Sequence, residues 1–167
     1  MKTLPFLLFL AFAASTQAAP VISEFLADND GGLKDENGDD QDWIEIYNPD
    51  TNAVDLAGWR LTDDAANPVK WVFPSYVLQP GARLIVWASE KNRDVGQFHT
   101  NFQLDQDGEY LALISPDGVA STRFDPFPFQ TKNVSYGSGF AGSVTVTDGT
   151  PAVPAGGTHF SRIKLSG

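Results

Sequence analysis

The sequence predicts an all-β protein built as an antiparallel β-sandwich, and two observations carry that prediction. Short segments of alternating apolar and polar residues recur about every ten residues, and clusters of Gly, Pro, Asn and Asp separate them. After residue 18, no stretch of useful length repeats its apolar residues at the helical period of roughly 3.6. Strands with this spacing favour a sandwich over alternating strands and helices.

Each predicted strand is bounded by turn residues. In chain order, the strands are expected at residues 21–27, 43–47, 53–56, 59–62, 70–73, 83–88, 109–114, 119–124 and 133–136. The segment 83–88 is apolar on both faces, which is typical of a central buried strand. The turn Ser115-Pro116-Asp117-Gly118 makes 119–124 the expected hairpin partner of 109–114.

The N-terminus has the three parts of a signal peptide in order. Lys2 is followed by an apolar segment from Leu4 to Ala14 and by the small-residue cleavage signal Thr16-Gln17-Ala18. We therefore predict a signal peptide at residues 1–18 and a secreted protein, either extracellular or periplasmic. A buried N-terminal segment is the alternative. No later stretch is long and apolar enough to predict a membrane anchor.

Composition narrows the classes of function. The chain has no cysteine, which excludes thiol catalysis and thiolate metal sites. Removal of Lys2 with the signal peptide would change the formal net charge from −10 to −11. An acidic chain repels DNA and anionic membranes at long range, so direct nucleic-acid binding is not expected. The charge suits cations or basic partners, or it reflects only a solvated surface.

The composition changes after Gly137, where Gly, Ser, Thr, Pro and Ala become dominant. This is typical of a linker or a loosely attached tail. We therefore divide the chain into a signal peptide at 1–18, one domain at 19–137 and a tail at 138–167. A further hypothesis is that the chain is a fragment of a longer modular protein.

One acidic segment, "DENGDDQDWIEIYN" at 35–48, is a candidate calcium loop. Five carboxylates stand within the eight residues 35–42, and calcium prefers such hard oxygen ligands. The predicted ligands are Asp35, Asn37, Asp39 and Asp42. Their mutual repulsion is a cost that a bound cation would remove.

The same segment also fits simpler interpretations. Asp35, Asn37 and Asp39 alternate like the first ligands of an EF-hand, but Asp40 stands where that loop needs Gly, and Ile46 where it needs Glu. An EF-hand is therefore excluded. Because Asn-Gly is a strong turn dipeptide, a solvated acidic turn is the alternative to a looser calcium loop.

The sequence offers no catalytic constellation. Its two histidines, His99 and His159, are far apart, and it contains no Gly-x-Ser-x-Gly elbow. Glu24 and Glu45 interrupt apolar strands, but solvent-facing or ion-paired carboxylates explain them better than a hydrolytic pair does. We predict no catalytic residues and no required cofactor.

The segment "FDPFPFQ" at 124–130 leaves two interpretations open. Its three Phe side chains form either an exposed aromatic strip that binds a partner or a loop pinned into the end of the sandwich.

The segments together resemble the lamin-tail domain family in its secreted bacterial form. The matching pieces are "VISEFLADN" at 21–29, "ENGDDQDWIEIYNP" at 36–49, "VDLAGWRLTDD" at 54–64, "KWVFP" at 70–74, "VLQPGARLIVWAS" at 77–89, "HTNFQLDQDGEYLALISPDG" at 99–118 and "NVSYG" at 133–137. The resemblance covers about residues 20–137, and the order and spacing of the pieces make it specific.

The resemblance implies an immunoglobulin-like β-sandwich without catalytic residues. It indicates a secreted module for binding, adhesion or positioning at the cell surface or in the extracellular matrix, with a protein or matrix component as its partner. The alternative is an accessory domain of a multidomain surface enzyme. A small hydrolase is a third and weaker alternative.

Overall fold

A computed structural model describes residues 18–137 and 158–161, which form twelve strands. The strands are β1 (Val21–Leu26), β2 (Asp42–Tyr47), β3 (Val54–Asp55), β4 (Arg60–Thr62), β5 (Trp71–Val72), β6 (Val77–Leu78), β7 (Arg83–Ala88), β8 (Phe98–His99), β9 (Leu111–Ile114), β10 (Ala120–Phe124), β11 (Val134–Gly137) and β12 (Thr158–Ser161). Apart from Ala18, the predicted signal peptide at 1–18 lies outside the described residues. So does most of the predicted tail at 138–167.

Two sheets form the predicted sandwich. The first has the order β12-β11-β1-β2-β7-β8 and the second β10-β9-β4-β5, with β3 and β6 paired as a separate ribbon. The hairpin of β9 and β10 is confirmed, with Arg123 opposite Ala112. Within the described residues, no helix has the length and apolar character needed to cross a membrane.

The main core lies between the two sheets. Alternation along each strand directs one set of side chains inward. Ile22, Ile44 and Val86 come from the six-stranded sheet, and Leu61 and Leu113 from the four-stranded sheet. Full burial of each such aliphatic side chain stabilises the fold by about 1.5–3 kcal/mol. This core therefore holds the sandwich together, as the absence of cysteine requires.

A second apolar cluster lies on the opposite face of the six-stranded sheet. It consists of Leu26, Trp43 and Trp87, and Leu33 and Ile85 pack against it. Trp43 and Trp87 are opposite one another on β2 and β7. Leu33 belongs to the acidic loop, which we define as residues 28–42, so this loop folds over the outer face of the sheet.

The structure also departs from the sequence-based expectations. Strands β6, β8 and β12 were not predicted, and β8 pairs with β7 in parallel. Strand β7 is buried only at Val86–Ala88, whereas Arg83 at its start is exposed, because the outer face is covered only near the acidic loop. The expectation of a strand buried along its whole length was therefore wrong.

Candidate functional site: the acidic loop and the exposed sheet edge

The tip of the acidic loop is a turn organised by Asp35. One Asp35 oxygen, Oδ1, accepts the backbone N–H groups of Asn37 at 2.9 Å and Asp39 at 3.0 Å. The N–H of Gly38 donates to the carbonyl of Asp35 at 3.0 Å, and Gly38 adopts φ +83°, which glycine reaches without steric cost. The Asp-x-Asn-Gly sequence thus fixes the turn locally.

The positive charge at the centre of this turn is Lys91. Its Nζ contacts the second carboxylate oxygen of Asp35 and lies 2.7 Å from Asp39 Oδ2. Burial alone would raise the pKa of Asp35, whose side chain is fully inaccessible. The bonds from Lys91 and the two backbone N–H groups outweigh burial and keep that pKa below its ordinary value. The Lys91 ammonium therefore lies between Asp35 and Asp39, two of the carboxylates that were predicted to bind calcium.

The backbone around Lys91 is held in an unusual conformation. Its neighbours Glu90 and Asn92 both have positive φ, 61° and 50°. Non-glycine residues adopt this left-handed conformation at a cost of order 1–3 kcal/mol, which the surrounding contacts must offset. The left-handed conformations of Glu90 and Asn92 place the Lys91 side chain against the acidic loop.

A second group of contacts fastens Glu36. Its carboxylate lies 2.9 Å from His99 Nε2 and also pairs with Arg93. Its backbone N–H donates to Gln97 Oε1 at 3.1 Å, and the same oxygen accepts the Trp87 indole N–H at 2.7 Å. Through Trp87, these contacts connect the loop to the second apolar cluster on the outer face of the six-stranded sheet.

Ser89, His99 and Glu36 form a chain of the residue types found in hydrolytic triads. Ser89 Oγ lies 2.8 Å from His99 Nδ1, and Glu36 meets the other ring nitrogen. However, Ser89 is only 6% exposed and His99 is 0% exposed, so the hydroxyl has no open approach for a substrate. The arrangement buries a satisfied histidine and does not present a nucleophile.

Asp42 lies apart from the other three predicted ligands. It begins β2, and its Oδ1 accepts the Asn29 N–H at 3.2 Å. Burial raises its pKa to about 6. Asp42 lines an open cleft of about 550 Å³, whose lining also includes Asp28, Glu90, Asp105 and the Lys70–Asp63 ion pair.

The structure therefore brings together Asp35, Asn37 and Asp39 but not Asp42. With its amide oxygen turned toward the basic side chains, Asn37 accepts from Lys91 at 3.0 Å. His99, Glu36 and Asp35 also offer metal-ligating atoms within 4.8 Å of one another, although Arg93 and Lys91 already neutralise these two carboxylates. Calcium binding by the loop stays a prediction, and an ion at its tip would have to displace the Lys91 ammonium.

The other feature of functional interest is an exposed apolar surface at β5 and β6. We define the apolar edge as Val69, Val72, Tyr76 and Val77, which are 52%, 47%, 38% and 54% exposed. All four stand within nine residues of the chain. Phe98 packs against Tyr76, with ring centroids 5.4 Å apart, and this contact anchors the surface to the core.

Three other strands within the described residues, β8, β10 and β11, are covered or polar on their outer sides. Residue Arg93 bridges to His99 on β8 through two backbone hydrogen bonds of 3.0 Å, and β12 lies along β11. Strand β10 carries Ser121, Thr122 and Arg123. Proteins commonly protect their edges in these ways, and β5 instead presents valine.

The candidate aromatic strip at 124–130 is not formed. Phe127 is buried at 1% exposure and packs on Phe25, with ring centroids 4.8 Å apart. Phe124 is half-buried, and only Phe129 is exposed. The segment is a loop pinned to the sandwich, as the second interpretation expected.

Sequence reasoning missed Lys91, Arg93 and the apolar edge. Lys91 follows Asp35 by 56 positions, so no local spacing links them. In "KWVFPSYVL", Val72 and Val77 alternate with their buried neighbours Trp71 and Leu78, and that signal could have identified an exposed face.

The model of the lamin tail domain family matches residues 13–126 of this chain. A search of the curated proteins found no match.

Proposed function

This chain belongs to the lamin tail domain family, and on that premise we propose that it is a secreted, non-catalytic module that binds a protein of the cell surface or extracellular matrix through its apolar edge. Membership in the family implies an immunoglobulin-like module without turnover. Secretion is supported by the signal-peptide pattern at residues 1–18.

The observation that carries the proposal is the apolar edge itself. Val69, Val72 and Val77 are each about half exposed, whereas the outer sides of β8, β10 and β11 are covered or polar. Clustered exposed apolar side chains usually mark a contact surface, because each loses contact with water only when a partner covers it. A partner with an apolar surface of similar size, free of buried charge, fits this edge.

The experiment compares two double variants of the secreted protein for binding to the envelope and matrix of the producing cell. Val72→Lys with Val77→Lys places two charges on the apolar edge, and we expect it to lose at least ten-fold in binding. Val95→Lys with Val119→Lys is the matched control, because these valines are 82% and 62% exposed but stand elsewhere in the chain. The control should bind like the wild type.

Equal binding by both double variants would overturn the use of this edge. Loss of binding by both would show a general charge effect instead. Circular dichroism and thermal unfolding of each variant confirm that folding is preserved before binding is compared.

A further inference from the structure

The outer edge of β11 holds a strand that comes from far along the chain. Strand β12 (Thr158–Ser161) pairs antiparallel with β11 over four residues, from Val134 opposite Ser161 to Gly137 opposite Thr158. Both strands lie beyond the segment matched by the family model, which ends at residue 126. Only β12 lies beyond residue 137, where the resemblance to the family also ends.

Strand β11 is fixed in the sheet by its inner contacts. Tyr136 packs on Phe25 and Phe124, with ring centroids 5.6 Å and 5.9 Å apart. At Gly137, an added Cβ would stand 2.1 Å from the Ser23 carbonyl oxygen, so β1 and β11 approach very closely. The acceptor edge thus stays in place whichever strand lies on its outer side.

The connection between β11 and β12 is much longer than a hairpin needs. Twenty residues, 138–157, join the strands, five of them glycine and one of them charged. A hairpin loop needs only about two to five residues. Linkers of this length and glycine content generally give an effective concentration in roughly the millimolar range, so a second copy at a comparable concentration competes with the chain's own strand.

We propose that the β11 edge is a strand-accepting site at which β12 of a second copy replaces β12 of the same chain, so that copies join by strand exchange. The pairing is antiparallel, so two copies exchange β12 around a two-fold axis with every backbone pair preserved. This inference does not depend on the proposed function, because the apolar edge is formed by β5 and β6, outside the six-stranded sheet.

The test removes residues 138–157 from the full chain and joins Gly137 directly to Thr158. Without a connection the chain cannot turn back on itself, so β12 can no longer pair with β11 of the same chain, and the two become one long strand. That strand pairs with its symmetry mate in the same register, 134 opposite 161 and 137 opposite 158. We expect light scattering after size-exclusion chromatography to give twice the monomer mass at about 100 µM protein.

Two controls make the result specific. Deleting only residues 142–153 leaves eight connecting residues, which are enough for a hairpin within one chain, and this variant should remain monomeric. Adding His159→Pro and Phe160→Pro to the full deletion should restore the monomer. Neighbouring N–H groups point to opposite sides of a strand, and the double change removes the one that faces β11.

A full-deletion variant that stays folded and monomeric at 100 µM would overturn the proposal, as would a dimer that persists with both prolines. In the wild type, copies labelled with two different fluorophores should show energy transfer that rises as total protein approaches the millimolar range. Energy transfer independent of concentration would also count against strand exchange.

Discussion

Replacing Lys91 by Met tests whether its ammonium holds the acidic loop in place. Met keeps much of the apolar stem of the side chain and removes only the charge. In the wild type, this ammonium contacts Asp35 and lies 2.7 Å from Asp39 Oδ2. The variant would leave the carboxylate of Asp35 buried without its cation.

The expected cost follows from the burial of both partners. Removing one partner from a buried ion pair costs about 3–5 kcal/mol, because the remaining charge stays desolvated. The Lys91 side chain is 20% exposed, and two backbone N–H groups still donate to Asp35, so we expect a cost somewhat below that range, about 2–3 kcal/mol. Lys34→Met is the matched control. The Lys34–Asp40 pair has a distance of 2.8 Å but side chains 51% and 29% exposed, so its loss should cost under about 1 kcal/mol.

The assay is urea unfolding of the wild type, Lys91→Met, Asp35→Asn and the double variant at pH 7. A double-mutant cycle isolates the interaction of the pair from the other effects of each substitution. We expect a coupling free energy of at least about 1.5 kcal/mol, within the range for contacting residues. A cost for Lys91→Met no larger than that for Lys34→Met would refute the role of Lys91 as the cation of the loop.

The remaining predictions concern the loop, the cleft and the β1–β11 contact. If the loop is a calcium site, millimolar calcium should raise the melting temperature of Lys91→Met more than that of the wild type, because no ammonium then competes with calcium for Asp35 and Asp39. Unchanged melting temperatures in both proteins would reject the site. Burial raises the folded-state pKa of Asp42 to about 6, above its unfolded value. The free energy of unfolding therefore falls as the pH rises from about 4 to 6, because ionised Asp42 is less stable in the fold than in the unfolded chain, and the loss stays constant above that range. Asp42→Asn should therefore stabilise the protein by about 1–2 kcal/mol at pH 8, a value reduced to allow for the partial exposure of Asp42, and by almost nothing at pH 4. A stability difference that does not change with pH would contradict the raised pKa of Asp42. Gly137→Ala should destabilise the fold by about 1–3 kcal/mol, because the alanine Cβ would stand 2.1 Å from the Ser23 carbonyl oxygen. A cost near zero, measured by chemical denaturation, would show that β1 and β11 do not approach so closely.

The strands with long alternating patterns were predictable from the sequence. In β2, the alternation of Ile44 and Ile46 with Trp43 and Tyr47 assigns two faces, and the structure places the isoleucines in the main core. The two-residue strand β5 lies within the longer alternating segment 70–73 and was predicted. Strand β6 continues the alternation of "KWVFPSYVL" and was overlooked, whereas β8 is buried at both of its positions and shows no alternation.

The acidic segment shows where sequence proximity misleads. Asp35 and Asp42 are seven positions apart, but Asp42 already belongs to β2. Successive side chains of a strand point to opposite faces, so Asp42 points away from the outer face that Trp43 and the loop occupy. The partners of the loop, Lys91 and Arg93, come from a segment more than fifty positions later, and only the folded chain brings them to it.

Whether the apolar edge is the binding surface is decided by the relative affinity of two double variants for the producer's envelope and matrix. Binding isotherms would compare Val72→Lys with Val77→Lys against Val95→Lys with Val119→Lys, with both proteins verified as folded. We expect at least a ten-fold weaker affinity for the first pair and wild-type affinity for the second. Indistinguishable isotherms for the two pairs would contradict a binding module that acts through its apolar edge.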